Sequence, residues 1–380
     1  MALKDVLESA VRPGELVEPI DERRIRCVAC GHRCPLPDGA AGVCKVRFNR
    51  GGTLYVPWGY VGGVQCDPVE KKPFFHVAPG SLAYSFGMLG CDLHCGYCQN
   101  WVTSQALRDP EAVAPPRSAD PEALVREAAR LGARLVVSTY NEPLITAEWA
   151  VEIFRHARGM GLLTAFVSNG NATPQVLDYI QPHIDCYKVD LKSFDDKHYR
   201  QLGGRLEPIL DSIRALHARG IWLEIVTLLV PGFNDSEQEL RQLTQFIAGV
   251  SPDIPWHVTA FHSDYRMMDR GDTATQQLLE AVAIARDNGL RYVYAGNRPG
   301  LVGELEDTRC AGCGTTLVER RGYVVNANRV TAENTCPSCA MKVPGMWGLS
   351  SSAGAHGVRP FGVALPFWRT TRHLLQPDRT

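Results

Sequence analysis

Three cysteines lie close together in the segment CDLHCGYC, residues 91–98, with the spacing C-x3-C-x2-C. A single loop that presents Cys91, Cys95 and Cys98 can ligate three corners of a 4Fe–4S cube. A fourth cysteine would saturate the cluster and favour simple electron transfer, whereas three leave one iron open to another ligand. The spacing therefore predicts an iron–sulfur cluster with an open coordination position, which is the form suited to catalysis.

The alternative for this segment is a zinc knuckle or a set of redox thiols. A closed zinc site needs a fourth protein ligand close by, and His94 is the one candidate within the segment. The segment follows an apolar, strand-like run, so its cysteines are expected at the end of a buried strand. We favour the cluster because other polar motifs take up equivalent positions further along the chain.

A second set of cysteines near the C-terminal end has the spacing CAGC-x22-CPSC. Its members are Cys310, Cys313, Cys336 and Cys339. Two C-x2-C pairs at this kind of separation are typical of zinc ribbons, in which four thiolates close a tetrahedral site. Four sulfur ligands also suit a single iron, and a redox dithiol is a weaker alternative, but zinc is favoured. We expect a closed site that stabilises its module.

A third set near the N-terminus comprises Cys27, Cys30, Cys34 and Cys44. The spacing C-x2-C-x3-C-x9-C places four candidate ligands in a short segment, which indicates a metal site. The metal could be structural zinc or an auxiliary iron–sulfur cluster that relays electrons, and the spacing leaves both open. Cys66 and Cys186 lack companions and are expected to be ordinary buried thiols.

Apolar runs alternate with helix-period segments between residues 82 and 295. The runs that predict buried strands are LAYSFGML, RLVVSTY, LLTAFVS, IDCYKVDL, WLEIVTLLV, WHVTAFH and RYVYA. Apolar stripes with a helical period separate them, and one of these stripes is Leu278, Leu279 and Val282. The alternation predicts right-handed βαβ units and a parallel sheet. Six or seven units favour an α/β fold of the full or partial (β/α) barrel type.

The unusual polar motifs follow the ends of these predicted strands. In chain order they are CDLHCGYCQN, TYNEP, SNG, DLK, LVPGFND and His262. In parallel barrels the chemistry gathers where strands end and the following loops begin. The predicted barrel and the predicted site therefore support each other.

The fourth predicted strand carries charges that alternate with apolar residues. Period-two alternation puts Lys188, Asp190 and Lys192 on one face and Tyr187 and Val189 on the other. The apolar set suits the helix-covered side, so the charged set is expected to face the barrel interior. Charges there need partners. A zwitterionic ligand would supply them, and an ion-pair network within the protein is the alternative.

These motifs together resemble radical SAM enzymes close to the activases of pyruvate formate-lyase, and most closely the radical SAM member of the AmmeMemoRadiSam system. The resemblance extends from about residue 25 to about residue 347. The segments that carry it are CVACGHRC, GVCKVR, DPVEKKPFFHVAPGS, GCDLHCGYCQN, TYNEP, VDLKSF, LVPGFND and the paired C-x2-C motifs. Asp92, where related proteins commonly have asparagine, is a departure that we expect to be tolerated. The TYNE sequence stands where the activases have a glycine pair before the glutamate.

The resemblance implies a role for each matching residue. Cys91, Cys95 and Cys98 would ligate the 4Fe–4S cluster, and Tyr97 would pack on the adenine of S-adenosylmethionine (SAM). The residues implied in the remaining SAM contacts are Asn141 and Glu142 at the amino group, Ser168, Asn169 and Asp190 at the ribose and carboxylate, and Lys192 at the carboxylate.

The function implied is reductive cleavage of SAM to a 5′-deoxyadenosyl radical that abstracts hydrogen from a substrate the sequence does not name. One alternative is an activase that places a radical on a glycine of a partner enzyme. Dedicated activases more often lack both flanking cysteine modules or carry ferredoxin-like insertions, which favours the AmmeMemoRadiSam reading. A second alternative is an electron-transfer or metal-binding scaffold, which would not need the DLK and TYNEP motifs. Expected partners are a flavodoxin or ferredoxin-type electron donor and the two other proteins of the system.

The length of 380 residues allows one large core with smaller modules. We predict an N-terminal cysteine-rich module at 1–77, a core barrel at 78–300, a zinc-ribbon-like module at 301–345 and a flexible tail at 346–380. Basic side chains crowd the N-terminal module and predict a solvated basic face, with docking of an acidic partner as the alternative. They are Arg23, Arg24, Arg26, Arg33, Lys45, Arg47 and Arg50.

The overall charge is nearly balanced, with 40 basic and 41 acidic side chains. This balance argues against bulk binding of nucleic acid or of a membrane surface. The start of the chain shows no secretory signal, and no apolar run reaches membrane-spanning length. With 13 cysteines and no export signal, we expect metals rather than disulfides, and a reducing, cytoplasmic location.

Overall fold

The computed structural model describes residues 3–112 and 114–347, apart from the side chains of residues 4 and 5. The predicted tail, residues 346–380, therefore lies outside the described residues from residue 348 onward. The other predicted module boundaries remain predictions. One strand inside the predicted N-terminal module, residues 63–68, pairs with the first strand of the barrel.

Residues 3–61 form a short helix followed by small antiparallel sheets. These elements are α1 (Leu3–Ser9), β1 (Val11–Pro13), β2 (Val17–Pro19), β3 (Ile25–Cys27), β4 (Pro35–Leu36), β5 (Phe48–Arg50), β6 (Thr53–Pro57) and β7 (Tyr60–Val61). One sheet has the order β1-β6-β5 and the other β2-β3-β4. Cys27 is the last residue of β3, so the N-terminal cysteine set begins at the end of a sheet strand.

An eight-stranded sheet forms the centre of the protein. The strands that follow β7 are β8 (Gly63–Pro68), β9 (Leu82–Gly87), β10 (Arg117–Ser118), β11 (Ala133–Ser138), β12 (Leu163–Ser168), β13 (Cys186–Asp190), β14 (Trp222–Leu229), β15 (Trp256–Ala260) and β16 (Val293–Gly296). The sheet order is β16-β15-β14-β13-β12-β11-β9-β8, parallel except for β8, and β10 pairs with β7 instead. Each of the seven predicted strands is present, and the sequential parallel order is that of a partial (β/α) barrel.

Helices connect the parallel strands and cover the outside of the sheet. They are α2 (Trp101–Ser104), α3 (Pro121–Arg130), α4 (Ala147–Gly159), α5 (Pro174–Ile180), α6 (Asp196–Gln201), α7 (Glu207–Ala218), α8 (Glu237–Val250) and α9 (Thr275–Asp287). Side-chain oxygens cap several N-termini, as Thr173 does for α5 and Ser236 for α8.

The predicted stripe on α9 was wrong at one position, because Leu279 is 38% exposed. The buried residues of this helix include Leu278, Ala281, Val282 and Ala285, which follow the i, i+3, i+4, i+7 pattern. Leu279 comes one residue after Leu278 and is therefore rotated by about 100° from it around the helix axis. A small residue, Ala281, takes the place in the stripe that the prediction gave to Leu279.

The C-terminal module is a small antiparallel sheet fixed to the barrel. Its strands are β17 (Thr308–Arg309), β18 (Thr316–Arg321) and β19 (Val324–Asn328), in the order β17-β18-β19. Arg320 is buried and donates to the carbonyl oxygen of Phe75 at 2.6 Å and to Thr308 Oγ1 at 2.8 Å, and Glu70 lies 3.6 Å away. This buried cation therefore joins β18 to the segment between β8 and β9.

A buried ion pair holds the N-terminal module on the barrel. The Arg47 guanidinium makes two bonds to the Glu148 carboxylate on α4, at 2.7 and 2.8 Å, and also donates to the Ile145 carbonyl oxygen. Both side chains are almost completely buried. The prediction that Arg47 belongs to a basic surface was therefore wrong. Its guanidinium is buried and paired with a carboxylate 101 residues away.

Replacing Arg47 by methionine should destabilise the protein strongly, because Glu148 would remain buried without its countercharge. Loss of one partner of a buried pair typically costs about 3–5 kcal/mol. As a matched control, Arg126→Met removes one side of the exposed pair with Glu122 and should cost less than about 1 kcal/mol. The comparison is made by urea unfolding under anaerobic conditions. Equal midpoints for the two variants would contradict the structural role of the pair.

Candidate active site

Five of the six polar motifs predicted at strand ends line one cavity of about 800 Å³, whereas no residue of the motif LVPGFND is among its lining residues. Its walls come from the loops that follow β9, β11, β12, β13 and β15. The lining residues that the sequence pointed to include Cys91, Cys95, Tyr97, Cys98, Asn141, Glu142, Ser168, Asn169, Lys188, Asp190, Lys192 and His262. A cavity of this size, with a few converging polar groups, is suited to a cofactor and a small substrate.

The three cysteines of the segment 91–98 share one wall of this cavity. The backbone N–H of Leu93 lies 3.4 Å from Cys91 Sγ, and Ser104 Oγ lies 3.1 Å from Cys98 Sγ. Burial raises the pKa of the Cys95 thiol to about 12, and it also raises the pKa of Cys91 and Cys98. Buried thiols of this kind stay protonated until a metal replaces the proton.

His94 does not accompany the three cysteines. Its ring lies against Gly203, where an added Cβ would come within 2.2 Å of the imidazole. Gly203 has a φ of +84°, so both its conformation and its contact with His94 require glycine. The cavity wall that contains the cysteines does not include His94. This placement disfavours the zinc knuckle with His94 as the fourth ligand.

Asp92 is a functional residue that the sequence analysis treated only as a tolerated departure. Its carboxylate is buried and accepts hydrogen bonds from Asn169 Nδ2 at 2.7 Å and Asn171 Nδ2 at 2.8 Å, one on each oxygen. An asparagine here would offer a single acceptor oxygen to these two donors. The spacing of two amide side chains in SNGN is the sequence signal that could have indicated a carboxylate partner.

Glu142 lines the cavity, but its carboxylate is bound mainly by the end of β12. It accepts hydrogen bonds from Ser168 Oγ at 2.7 Å and from the backbone N–H groups of Asn169 and Leu144. Burial raises the pKa of Glu142 to about 8, and the nearby Asp92 carboxylate adds to this effect. The Glu142 side chain therefore joins the loop after β11 to the loop after β12.

The TYNEP loop approaches β9 closely. An added Cβ at Gly87, the last residue of β9, would lie 2.3 Å from the carbonyl oxygen of Thr139. Tyr140 has a φ of +69°, an uncommon conformation for a bulky residue. Asn141 then accepts a hydrogen bond from the backbone N–H of Met88 at 3.0 Å. Strain at Tyr140 is therefore stabilised by contacts that position the loop beside the cysteines.

The charged face of β13 lies in the cavity as predicted, and its charges pair with one another. Asp190 forms ion pairs with Lys188 and with Lys192, the latter at 3.5 Å. Although burial raises the pKa of Asp190, the two cations outweigh it and lower the pKa below its usual value. Two cations facing one carboxylate leave a positive charge available. Lys188 was not among the predicted binding residues, although its alternation with Asp190 placed it on this face.

Tyr97 lies in the wall between the cysteines and the loop after β14. Its ring packs edge-on against Phe233 with centroids 5.9 Å apart. The hydroxyl is buried and has no hydrogen-bond partner among the described residues. A buried hydroxyl without a partner is costly, which fits a bound polar molecule at this place.

The residues present fit a 4Fe–4S cluster together with SAM. The donor set offers three cysteine sulfurs without a fourth protein ligand, so one iron would remain open. The same cavity contains the positively charged face of β13 for a carboxylate and the unpartnered Tyr97 hydroxyl for a polar group. These features suit SAM, which carries both an amino-acid carboxylate and a nucleoside.

The C-terminal cysteines form a compact tetrathiolate site. Cys310 and Cys339 have their sulfur atoms 3.6 Å apart, as do Cys313 and Cys336, and the four sulfurs all lie within 4.8 Å of one another. A tetrahedral zinc with Zn–S bonds of about 2.3 Å would separate its sulfurs by about 3.8 Å. The geometry suits one tetrahedral metal ion, and zinc remains the predicted one.

The N-terminal cysteines converge beside the cysteine segment 91–98. Cys27, Cys30 and Cys44 are buried, and Cys34 is half-buried. The sulfurs of Cys34 and Cys44 both lie within 3.7 Å of the position that a Cβ would take at Gly42. The two single cysteines, Cys66 and Cys186, are buried as expected.

Comparison with known proteins gives a family match and relatives of two kinds. Residues 87–244 match the model of the radical SAM superfamily. An uncharacterized protein of Methanocaldococcus jannaschii is 32% identical over 338 residues, covering 88% of this chain and 99% of that protein. A pyruvate formate-lyase-activating enzyme of Staphylococcus epidermidis is 28% identical over 196 residues, covering 48% of this chain and 76% of that enzyme.

Among solved structures, a radical SAM methyltransferase from Sphaerobacter thermophilus is similar over 81% of each chain. The TM-score is 0.45 and the sequence identity 14%. A likeness at this level supports no conclusion about the activity of the present chain.

A variant that carries Cys310→Ser and Cys313→Ser should lose one zinc and some stability, because metal binding in small ribbons contributes directly to folding. SAM cleavage without substrate should persist, since the ribbon lies outside the barrel. Zinc and iron are measured by elemental analysis, with Cys66→Ser as the control for loss of a cysteine. Loss of iron together with zinc from a folded variant would show that the ribbon serves the redox site instead.

Proposed function

The chain belongs to the radical SAM superfamily and is an enzyme of the radical SAM type, and we propose that it cleaves SAM in the cavity described above. Cys91, Cys95 and Cys98 would hold the 4Fe–4S cluster. The observation that carries the proposal is that these three cysteines share one cavity with the positively charged face of β13.

When bound, the cluster supplies the electron that breaks a C–S bond of the SAM sulfonium, giving methionine and a 5′-deoxyadenosyl radical that abstracts hydrogen. The chain contributes position and charge. Burial opposes the charge of Lys192, but the Asp190 carboxylate favours it and keeps the pKa of the ammonium group above its usual value. Its ammonium group would pair with the methionine carboxylate through a charge-assisted hydrogen bond.

The remaining implied contacts need local adjustment or act indirectly. Asn141 and Glu142 are engaged with the backbone of neighbouring loops, so we propose that they hold the loop whose edge meets the SAM amino group. Ser168 and Asn169 line the cavity on the ribose side while they also bind Glu142. Tyr97 would contact the adenine from the wall beside Phe233.

For the substrate, we propose a role within the AmmeMemoRadiSam system. Support comes from the long motifs that resemble its radical SAM member, which extend from about residue 25 to about residue 347. An activase of a glycyl-radical enzyme is the second candidate, and the similarity to an activating enzyme over 48% of the chain favours it. Two assays separate the candidates, one with the purified proteins of the system and one with a glycyl-radical enzyme. The correct candidate is the one in which SAM cleavage depends on the added protein.

We further propose a flavodoxin or ferredoxin-type donor as the source of electrons, and the two other proteins of the system as partners. None of the helices in the described ranges 3–112 and 114–347 has the length and apolar composition to span a membrane. A cytoplasmic location is part of the proposal, since low-potential donors and unpaired thiols belong to reducing compartments.

Replacing Cys95 by alanine should abolish SAM cleavage, because two thiolates in this loop cannot hold a cluster with one open iron. The anaerobically reconstituted proteins are reduced with dithionite, and 5′-deoxyadenosine and methionine are quantified by chromatography. Cys66→Ala, which removes a buried cysteine outside the cavity, should cleave SAM like the unchanged protein. A normal yield of 5′-deoxyadenosine from Cys95→Ala would refute the assignment.

Replacing Lys192 by alanine should weaken SAM binding while the cluster still assembles. Loss of one charge-assisted contact costs about 1.5–3 kcal/mol, or roughly 10- to 150-fold in Kd. Asp190 would keep Lys188 as its partner, so the fold should survive. Calorimetry compares this variant with Lys197→Ala, which removes an exposed lysine from α6. Equal SAM affinities would assign Lys192 to the ion-pair network alone.

A further inference from the structure

The N-terminal cysteines differ in spacing from the ribbon cysteines. The ribbon has two C-x2-C pairs separated by 22 residues, whereas Cys27, Cys30 and Cys34 stand close together and Cys44 follows later. Two separated pairs are the usual pattern of a single tetrahedral metal. Three neighbouring cysteines with a more distant fourth are a pattern of iron–sulfur proteins, in which the four thiolates hold a cluster of several irons.

The sulfur positions differ in the same way. The four ribbon sulfurs lie within 4.8 Å of one another, as one metal ion requires. No three sulfurs of the N-terminal set, all four of which belong to the described residues, satisfy that limit. The three cysteines of the cavity wall do not satisfy it either. Neither of these two sets is therefore gathered around a single ion, unlike the set assigned to zinc.

We propose that Cys27, Cys30, Cys34 and Cys44 bind a second iron–sulfur cluster, which passes single electrons to the cluster at Cys91, Cys95 and Cys98. The metal assignment stands on the cysteine geometry alone. The electron-transfer role rests on the proposed function, because it needs a second cluster to receive the electron.

The first support for electron transfer is the contact between the two cysteine segments. Gly90 directly precedes Cys91, and an added Cβ there would lie 3.0 Å from the carbonyl oxygen of Cys44. Gly90 has a φ of +93°, so the close approach depends on glycine. The backbone of Cys44 therefore contacts the residue that directly precedes Cys91. Because the rate of electron transfer falls steeply with distance, this contact favours transfer between the two sets.

A second contact lies on the other side of the segment. His32, next but one after Cys30, has Nε2 3.1 Å from the carbonyl oxygen of Asp92. The backbone N–H of Gly31 donates to the carbonyl oxygen of Asn171 at 2.8 Å. Asp92 in turn lies beside Cys91, with Cys91 Sγ 3.8 Å from Asp92 Oδ1. The N-terminal loop is thus fixed to the cavity segment at two independent places.

The direction of electron flow follows from access. Cys91, Cys95 and Cys98 face the cavity, where SAM and substrate would exclude a protein donor. Cys91 and Cys98 are half-buried like Cys34, so the difference in access comes from the surroundings: Val43, beside Cys44, is 40% exposed at the protein surface. One electron from a flavodoxin or ferredoxin-type donor would reduce the N-terminal cluster, and the same electron would then pass to the second cluster. The N-terminal cluster returns to its oxidised form.

The protein also supplies a charge for a thiolate cluster at this place. Arg47 Nε donates to Cys27 Sγ at 3.2 Å while its other nitrogens bind Glu148. The backbone N–H of His32 also donates to the sulfur of Cys30. A cation and an N–H donor beside the sulfurs stabilise the thiolate form that a cluster requires.

The metal content of the protein tests whether the N-terminal set binds an iron–sulfur cluster, and this test needs no substitution in that set. Protein isolated anaerobically should contain more iron than one 4Fe–4S cluster holds, that is, more than about four atoms per chain, and about one zinc. A variant with Cys91, Cys95 and Cys98 all changed to alanine should keep iron and sulfide and give an iron–sulfur EPR signal after reduction. About two zinc ions per chain, with an iron-free triple variant, would overturn the assignment.

Donor dependence tests the second half. Cys34→Ser removes the most accessible ligand, and Cys66→Ser is its matched control because it changes a cysteine that lies in neither set. Cys34→Ser should slow SAM cleavage with reduced flavodoxin by about tenfold or more, while cleavage with the small reductant dithionite stays near that of the control. Equal rates with flavodoxin for both variants would exclude the relay.

The two proposals fail in different ways. If the unchanged protein cleaves no SAM with either reductant, the proposed function fails, and the iron and zinc counts still decide the identity of the N-terminal metal. If Cys34→Ser does not fold, the triple variant of the cavity cysteines and the metal counts of the unchanged protein decide the metal. Gly90→Ala then replaces Cys34→Ser as the relay test, since it disturbs the contact and leaves both ligand sets complete.

Discussion

The position of the cysteine loop depends on one buried carboxylate, that of Asp92. A buried charge is costly unless donors surround it, and here Asn169 and Asn171 supply one hydrogen bond to each oxygen. Because Asp92 directly follows Cys91, satisfying the carboxylate fixes where the loop stands relative to the end of β12. Glu142 lies close by, and its pKa is raised to about 8, mainly by burial and further by the Asp92 carboxylate.

Hydrogen bonds and ion pairs between buried polar groups also fix the loops of the cavity before a ligand binds. Glu142 uses Ser168 and two backbone N–H groups, and Asp190 uses two lysines, so each loop is held by its neighbours rather than by solvent. Satisfied networks of this kind favour one arrangement of the loops, and the Tyr97 hydroxyl is left for a ligand. A site of this kind binds a ligand without first ordering its own side chains, which lowers the cost of binding.

The barrel could be predicted because each strand is a local apolar pattern and each polar motif follows one. The residues that were missed have partners that no local pattern indicates. Arg47 seemed to belong to a basic surface, yet its partner Glu148 lies on α4, 101 residues away. Asp92 seemed a neutral change, yet its donors come from the end of β12. Leu279 was misplaced because its neighbour Ala281, a small residue, completes the buried stripe.

Pairs of this kind also decide how the flanking modules relate to the barrel. The ribbon is attached through Arg320 to the segment between β8 and β9, a contact that does not touch the cysteine loop. The N-terminal module is attached through Arg47 and also through the contacts at Gly90 and Asp92, beside the loop itself. Any movement of the N-terminal loop would therefore act on Cys91 directly, whereas the C-terminal module reaches the cavity at Tyr323, away from the cysteine loop. Both modules contain four cysteines, but only the N-terminal set lies beside the cysteine loop of the cavity. This difference in position argues that the two sets have different roles.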